Sequence, residues 1–271
     1  MKSMLKKGQA FLFMSVIGVV IFLPLLLLGV WSVTARWPWP NLLPTSWTAR
    51  GWLQLQLEGR ELTHVLGGNL ILSIGVSVVA LVIAVMTAKV YVTQSKHKQR
   101  LIRLLVILPL LVPATVFGMG IHPLFIRLQL ANTLVGVGIG HLLYSLPYAQ
   151  LLVMNAYAGE IPRLEEQAML LGASPLTVLW SITLPLLAPV LLVGFIMGYI
   201  VSFSQYFLTQ LLGGGVIQTL ATRIFPYLQA NDRTIASVYS LIFLALTLVI
   251  FWIADYAAKR MTNPSYRKGQ L

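Results

Sequence analysis

Apolar residues in this chain come in long uninterrupted runs, and the polar residues gather in the intervals between them. Six runs approach or exceed the roughly 20 residues that a helix needs to cross the hydrocarbon core of a bilayer. They lie at about 10–31, 67–92, 104–121, 133–157, 186–210 and 234–256. Backbone N–H and C=O groups cannot be left unpaired in lipid, so runs of this length are expected to be helices. The expected fold class is an all-α integral membrane protein with six transmembrane helices. Pro109 and Pro113 should kink the third, because each removes a backbone donor and crowds the preceding turn. Gly194 and Gly198 form a GxxxG in the fifth, which lets a neighbouring helix approach closely. Gly136, Gly138 and Gly140 sit inside an apolar run with no strand before them, so they read as helix packing and not as a nucleotide loop.

The polar intervals carry a charge asymmetry. Lys2, Lys6, Lys7, Lys89, Lys96, Lys98, Arg100, Arg103, Arg163, Lys259, Arg260, Arg267 and Lys268 fall on one side of the predicted spans. Only Arg36, Arg50, Arg60, Arg127, Arg223 and Arg233 fall on the other. By the positive-inside rule both termini are expected to be cytoplasmic, and so is the 158–185 interval. The first run is longer than a signal-peptide core, so it is expected to be retained although Val33-Thr34-Ala35 imitates a cleavage site. Trp37, Trp39, Trp47 and Trp52, set among prolines, read as an outer interfacial stretch.

Composition excludes several classes of function. The chain is 58% hydrophobic and 10% charged, against about 25% charged in a soluble domain. The net charge of +12 is spread as topology signals between apolar runs, so no nucleic-acid partner is expected. Absence of cysteine excludes disulfides, zinc thiolates and cysteine nucleophiles. His64, His97, His122 and His141 lack metal-ligand spacing, and no metal site is expected. None of Ser73, Ser77, Ser145, Ser202, Ser204 and Ser240 has a nucleophile-elbow setting, and there is no GxxxxGK[ST]. No catalytic residue is assigned and an enzyme is not supported.

One cytoplasmic stretch, EEQAMLLGASPLTVLWSITLP over 165–185, interrupts the apolar pattern. Pro162 suits the first turn of a helix, and Glu165 and Glu166 then meet the positive end of its dipole. Leu164, Ala168 and Leu171 recur at i, i+4 and i+7 and predict an apolar stripe. Gly172 is placed to end this helix in a left-handed conformation. Ser174 is placed to cap a second helix with Pro175 at its first position. On these residues alone, a plain hairpin between membrane helices and a docking site remain equally open.

The order of residues goes further. Glu166, Ala168, Gly172, Ile182, Leu184 and Pro185 resemble the E-A-A-x3-G-x9-I-x-L-P loop of permease subunits of binding-protein-dependent ABC importers. Gln167 departs from the family's usual small residue. Residues 67–92, opening Gly68-Asn69-Leu70 and ending Ala88-Lys89, look like the start of that family's transmembrane core. Leu164-Glu165-Glu166 and Gly172-Ala173-Ser174-Pro175 look most like the spermidine/putrescine, iron(III) and thiamine branch.

The resemblance implies a type I ABC importer permease, one domain over 1–271, with an N-terminal helix at about 10–31, a shared core at about 67–256 and a coupling loop at about 158–185. It implies a multi-pass protein of the bacterial cytoplasmic membrane that forms half of a translocation pathway. The expected partners are two copies of an ATP-binding cassette ATPase, a second and different permease chain, an extracytoplasmic solute-binding protein and the lipid bilayer. No cofactor is expected in this chain, since ATP and Mg would be bound by the ATPase. The residues implied in ATPase coupling are Glu165, Glu166, Ala168, Gly172, Ala173, Ser174, Pro175, Ile182, Leu184 and Pro185. An amphipathic helix in a groove is a common recognition mode, and its acids would pair with basic residues of the partner.

Polar intramembrane positions are functional candidates by default. Those expected to line the pathway are Asn69, Ser73, Tyr144, Tyr148, Ser202, Gln205, Tyr206 and Thr209, with Ser204 beside them. The branch suggests a polyamine, thiamine, iron(III) or another small solute, and the lack of a mid-membrane carboxylate counts against a polyamine. Two rivals are an ion-coupled secondary transporter or channel, which lacks its buried ionisable relay here, and an intramembrane hydrolase using Ser145 or Ser202 with His141.

Overall fold

Helix pairs the backbone groups of an apolar run within the run itself, as lipid demands, and helix dominates the computed structural model. It describes residues 2–262, with side chains from 13 to 257 and that of Lys259. Lys2, Lys6, Lys7, Arg260, Arg267 and Lys268, part of the charge asymmetry, lie outside the described side chains. The elements in order are α1 (Lys2–Ser32), β1 (Thr34–Arg36), β2 (Ser46–Trp47), α2 (Arg50–Leu57), α3 (Gly59–Thr93), α4 (Lys96–Leu111), α5 (Ala114–Arg127) and α6 (Leu134–Tyr157). There follow α7 (Ile161–Leu170), α8 (Pro175–Val178), a π-turn (Leu179–Thr183), α9 (Leu184–Phe203), α10 (Phe207–Gly213), α11 (Leu220–Gln229) and α12 (Arg233–Thr262). Five helical stretches among the described residues are long and apolar enough to span a membrane, and the bent pair α4–α5 makes a sixth if taken as one span.

Two predicted runs break. The third is not one kinked helix, since α4 and α5 meet at 103°. Val112, driven out of the helical region by the proline that follows it, is extended at φ −99°, ψ 127°. Pro113 therefore ends a helix, whereas Pro109 is carried inside α4. The fifth run stops at Phe203 instead of reaching 210. Ser204 Oγ donates back to the Ile200 carbonyl at 2.7 Å, a local bond that competes with continuing the helix. Thr209 consequently lies on the short α10.

Pro185 stands at the entry to the fifth apolar run, in the first turn of α9. Helix continues from Pro175 through Phe203 across the π-turn, where the Leu184 amide reaches the Leu179 carbonyl. A one-residue widening just before a proline makes room for the ring and leaves the missing donor without a broken ladder.

The described residues gather into two compact units built from discontinuous segments, with α3 and α12 long enough to contribute to both. The first unit comprises 2–63 and 224–245. In it α2 packs on the start of α12, with Gly51 so close to Val238 and Thr234 that a Cβ would stand 2.8 Å from Val238 Cγ2. Arg50 and Asp232 form an ion pair at 2.6 Å, and the rings of Tyr227 and Tyr239 stack at 5.7 Å.

The second unit comprises 64–223 and 246–262. Ala80, Ala84 and Ala88, spaced four apart on α3, share a buried core with Ala149, Val153, Met154 and Tyr157 of α6 and Leu187 of α9. Small residues let these helices approach without a hydrophobic drive from water. The GxxxG acts as its spacing predicts: a Cβ on Gly198 would lie 3.3 Å from Ser77 Oγ, and one on Gly194 would lie 2.9 Å from Leu81 Cδ2. A smaller core joins Leu72, Val76, Phe125, Val137 and Leu212.

Candidate functional site

The 158–185 stretch folds as a helix, a tight turn and a second helix, and each turn residue has a physical reason. Pro162 lies in the first turn of α7. At the other end Gly172 adopts φ +88°. Its amide bonds the Met169 carbonyl while that of Ala173 bonds the Ala168 carbonyl, the Schellman arrangement that satisfies the last carbonyls of a helix. Ser174 then caps α8, its hydroxyl accepting from the Thr177 amide at 3.2 Å, with Pro175 at the first position.

The orientation of α7 differs from the predicted stripe. Ile161 and Glu165 face inward with Ala168 half-buried behind them, whereas Leu164 and Leu171 face outward. A carboxylate occupies the inner face because three donors await it there. Tyr157 OH donates to Glu165 Oε2 at 2.8 Å, and the Thr183 hydroxyl donates to Oε1. Lys89 Nζ lies 3.2 Å from Oε1 and 3.4 Å from Oε2. Glu165 is 7% exposed. Burial alone pushes its pKa up, but the hydrogen bonds from Thr183, Tyr157 and Lys89 and the Lys89 charge outweigh it, so the carboxyl titrates below its ordinary range. Glu165 is thus not one of the free acids that the sequence reading offered to a partner. Its three donors were missed, because they lie 76, 8 and 18 positions away. By sequence Lys89 is a topology charge and the end of the stretch that resembles the family's core, with no sign of its partner Glu165.

The rest of the loop is open. Glu166, Gln167, Gly172, Ser174, Pro175 and Pro185 are exposed, and Ala168, Ala173, Ile182 and Leu184 are half-buried. Around the Gly172 turn three leucines stand clear of the chain, Leu170 at 82%, Leu171 at 89% and Leu176 at 65% exposure. The loop is therefore an acidic and apolar tip on a helix rooted by a buried carboxylate.

The predicted pathway residues divide. Asn69, Ser73, Ser202 and Thr209 are fully buried, whereas Tyr144, Tyr148, Gln205 and Tyr206 are half-buried and Ser204 is exposed. His141, at no exposure, lies between Ser202 Oγ and Thr209 Oγ1, 2.9 Å from each. Thr209 donates its own hydrogen to the Gln205 carbonyl at 2.5 Å. Its oxygen therefore accepts from His141 Nε2–H, and Nδ1 accepts from Ser202. His141 and Ser202 thus meet, but the second ring nitrogen faces a hydroxyl and no carboxylate, and the group is sealed. It ties α6, α9 and α10 together, as polar side chains do in membranes, and has no resemblance to a hydrolytic site. Both amide atoms of Asn69 and the Ser73 hydroxyl are buried without a partner among the described residues.

A family model described as "Binding-protein-dependent transport system inner membrane component" matches residues 72–263. The Escherichia coli K12 inner membrane ABC transporter permease protein YnjC is 30% identical over 152 residues, which are 56% of this chain and 30% of that protein. The chain thus spans under a third of that relative. The E. coli K12 putrescine transport system permease protein PotI is 21% identical over 257 residues, covering 91% of this chain and 89% of that one. A crystal structure of a bacterial ABC transporter involved in the import of the acidic polysaccharide alginate has a chain of the same fold. Its TM-score is 0.65 at 17% identity, and the match covers 94% of this chain and 95% of that one.

Proposed function

The chain belongs to the binding-protein-dependent transport system inner membrane component family, and from that premise we propose that it forms one half of the translocation pathway of an ATP-driven importer. In this reading it carries no ATPase of its own and receives work through the 163–185 loop, and a solute-binding protein on the outer side delivers the substrate. Both termini face the cytoplasm, as the Lys and Arg asymmetry implies. A second permease chain completes the pathway. ATP and Mg belong to the two ATPase subunits.

The single observation that carries the reading is the form of the loop. Glu166 and the apolar tip of Leu170, Leu171 and Leu176 are presented outward on a helix with a Schellman end and a serine-capped continuation. A short helix with one acid and a cluster of leucines suits a groove with apolar walls and a basic rim. ATP-driven closure of paired ATPase subunits would draw two such loops together and swing the attached helices between outward- and inward-facing states.

The substrate is a small solute, and a polyamine is the first to test, since a putrescine permease matches nearly the whole chain. The test of the reading is purification of the tagged chain expressed with its neighbouring genes. Expected is co-purification of an ATPase subunit whose sequence carries a P-loop, and its loss in Glu166→Lys with the permease still in the membrane. A wild-type complex without any such subunit, or one that Glu166→Lys leaves intact and still coupled to uptake, overturns it.

A further inference from the structure

We propose that Glu165 is a positioning residue that makes α7 and the cytoplasmic-side ends of α3, α6 and α9 move as one body. The inference rests on the importer reading and goes beyond the contact of the loop with a partner. One carboxylate is held by side chains from three elements, and each stands near the end of its element. Lys89 is four residues from the end of α3, Tyr157 is the last residue of α6, and Thr183 is the last residue of the π-turn that feeds α9. All three bonds converge on a group that is almost fully buried.

The remaining attachment of α7 is slight. Ile161 is its one residue in the buried core around Tyr91, Val106 and Tyr157, and most of the rest of the helix is turned to the outside. Apolar contacts such as those of Ile161 and the half-buried Ala168 are non-directional and allow sliding or rotation. Hydrogen bonds weaken steeply when their angle changes, and the charge-assisted ones are the strongest. A push at the Leu170–Leu171 tip would roll α7 about Ile161 if Glu165 were absent. With Glu165 in place, the same push is delivered to three helix ends together. The widened turn at 179–183 is what places Thr183 over the carboxylate, so the local widening before Pro185 and the buried acid serve the same junction.

The chain has no cysteine, so labels can be placed cleanly. Arg163→Cys on α7 and Val90→Cys on α3, both at exposed positions, carry spin labels in the complete complex with its ATPase subunits in lipid nanodiscs. The distance distribution is read without nucleotide and after trapping with ATP–Mg and vanadate. With Glu165 intact, one narrow distribution is expected in both states. Glu165→Ala should at least double its width and make it depend on nucleotide, and Lys89→Glu should do the same. Combining Lys89→Glu with Glu165→Lys should restore the narrow, nucleotide-independent distance, which a loss of general stability would not do.

Glu165→Gln keeps the side-chain shape and an acceptor for one of the two hydroxyls, turns the other oxygen into an amide donor and removes the charge that Lys89 faces. It supplies a folded variant if Glu165→Ala is lost from the membrane, and an intermediate width is expected. A narrow, nucleotide-independent distribution in Glu165→Ala, or in Glu165→Gln where only that variant folds, overturns the proposal and leaves the importer reading standing. Failure of any ATPase subunit to join the wild-type chain overturns both.

Discussion

Tyr157 donates its hydroxyl hydrogen to Glu165 at 2.8 Å, so the final residue of one membrane-length helix is bonded to a side chain of the surface helix that follows it. A buried carboxylate with three donors loses one when Tyr157 becomes Phe. The ring still fills its place, while one oxygen loses a charge-assisted bond worth about 1.5–3 kcal/mol. Tyr157→Phe is expected to lower the thermal midpoint of the detergent-solubilised protein by a few degrees, read by tryptophan fluorescence. An unchanged midpoint would mean that the bond adds nothing to the fold.

The same carboxylate predicts an acid dependence. Its pKa is lowered in the folded chain, because hydrogen bonds from Thr183, Tyr157 and Lys89 and the Lys89 charge outweigh the upward push of burial. The unfolded chain therefore binds this proton more readily. The stabilisation is complete above the ordinary carboxylate range, about pH 4.3, and is lost as pH falls through the lowered folded value. Thermal midpoints of wild type and Glu165→Gln, taken at descending pH, should differ most near neutrality and converge in acid. A gap that stays constant through that range would remove Glu165 as its source.

Gly172 separates backbone strain from partner contact. At φ +88° an L side chain is strained, but a Cβ there would meet nothing within 4 Å in this chain. Gly172→Ala should therefore cost about 1 kcal/mol of stability, and Gly172→Asn less, because Asn tolerates the left-handed region. Gly172→Asp should leave the protein in the membrane yet block uptake, since the added charge meets only a docked partner. Normal uptake in that variant would argue that nothing seats on this turn.

The His141 bridge predicts asymmetric costs. Ser202→Ala leaves a buried ring nitrogen without its donor, which costs about 1–3 kcal/mol. His141→Leu combined with Ser202→Ala and Thr209→Val replaces the whole polar group by apolar side chains and should be the milder change, since no buried polar side-chain atom of the bridge is left unpaired. Comparing midpoints of the single and triple variants tests this. A triple variant far less stable than Ser202→Ala would point to a use of the group beyond packing.

Much of this protein is determined by sequence alone. Continuous apolar runs of about 20 residues suit helices, which pair their backbone groups within the run, so the fold class and the positions of most spans follow from residue order. The turn at Gly172 and the cap at Ser174 follow too, because a left-handed residue and a short hydroxyl side chain satisfy helix ends through their immediate neighbours. Local chemistry of that kind is written within a few positions of itself.

The tertiary structure decided what depends on distant partners. Glu165 and Glu166 are adjacent and chemically alike, yet one is buried and the other exposed. The difference arises because Lys89, Tyr157 and Thr183 converge on one face of α7 and on no other. Ser202 and His141, both legible as polar residues in apolar runs, became a sealed bridge only when α6, α9 and α10 packed. The break at Val112 and Pro113 also lay beyond sequence pattern, since a proline kinks a helix or ends it according to what its neighbours pack against. A residue type records what a side chain can bond, and packing fixes which partner stands within 3 Å of it.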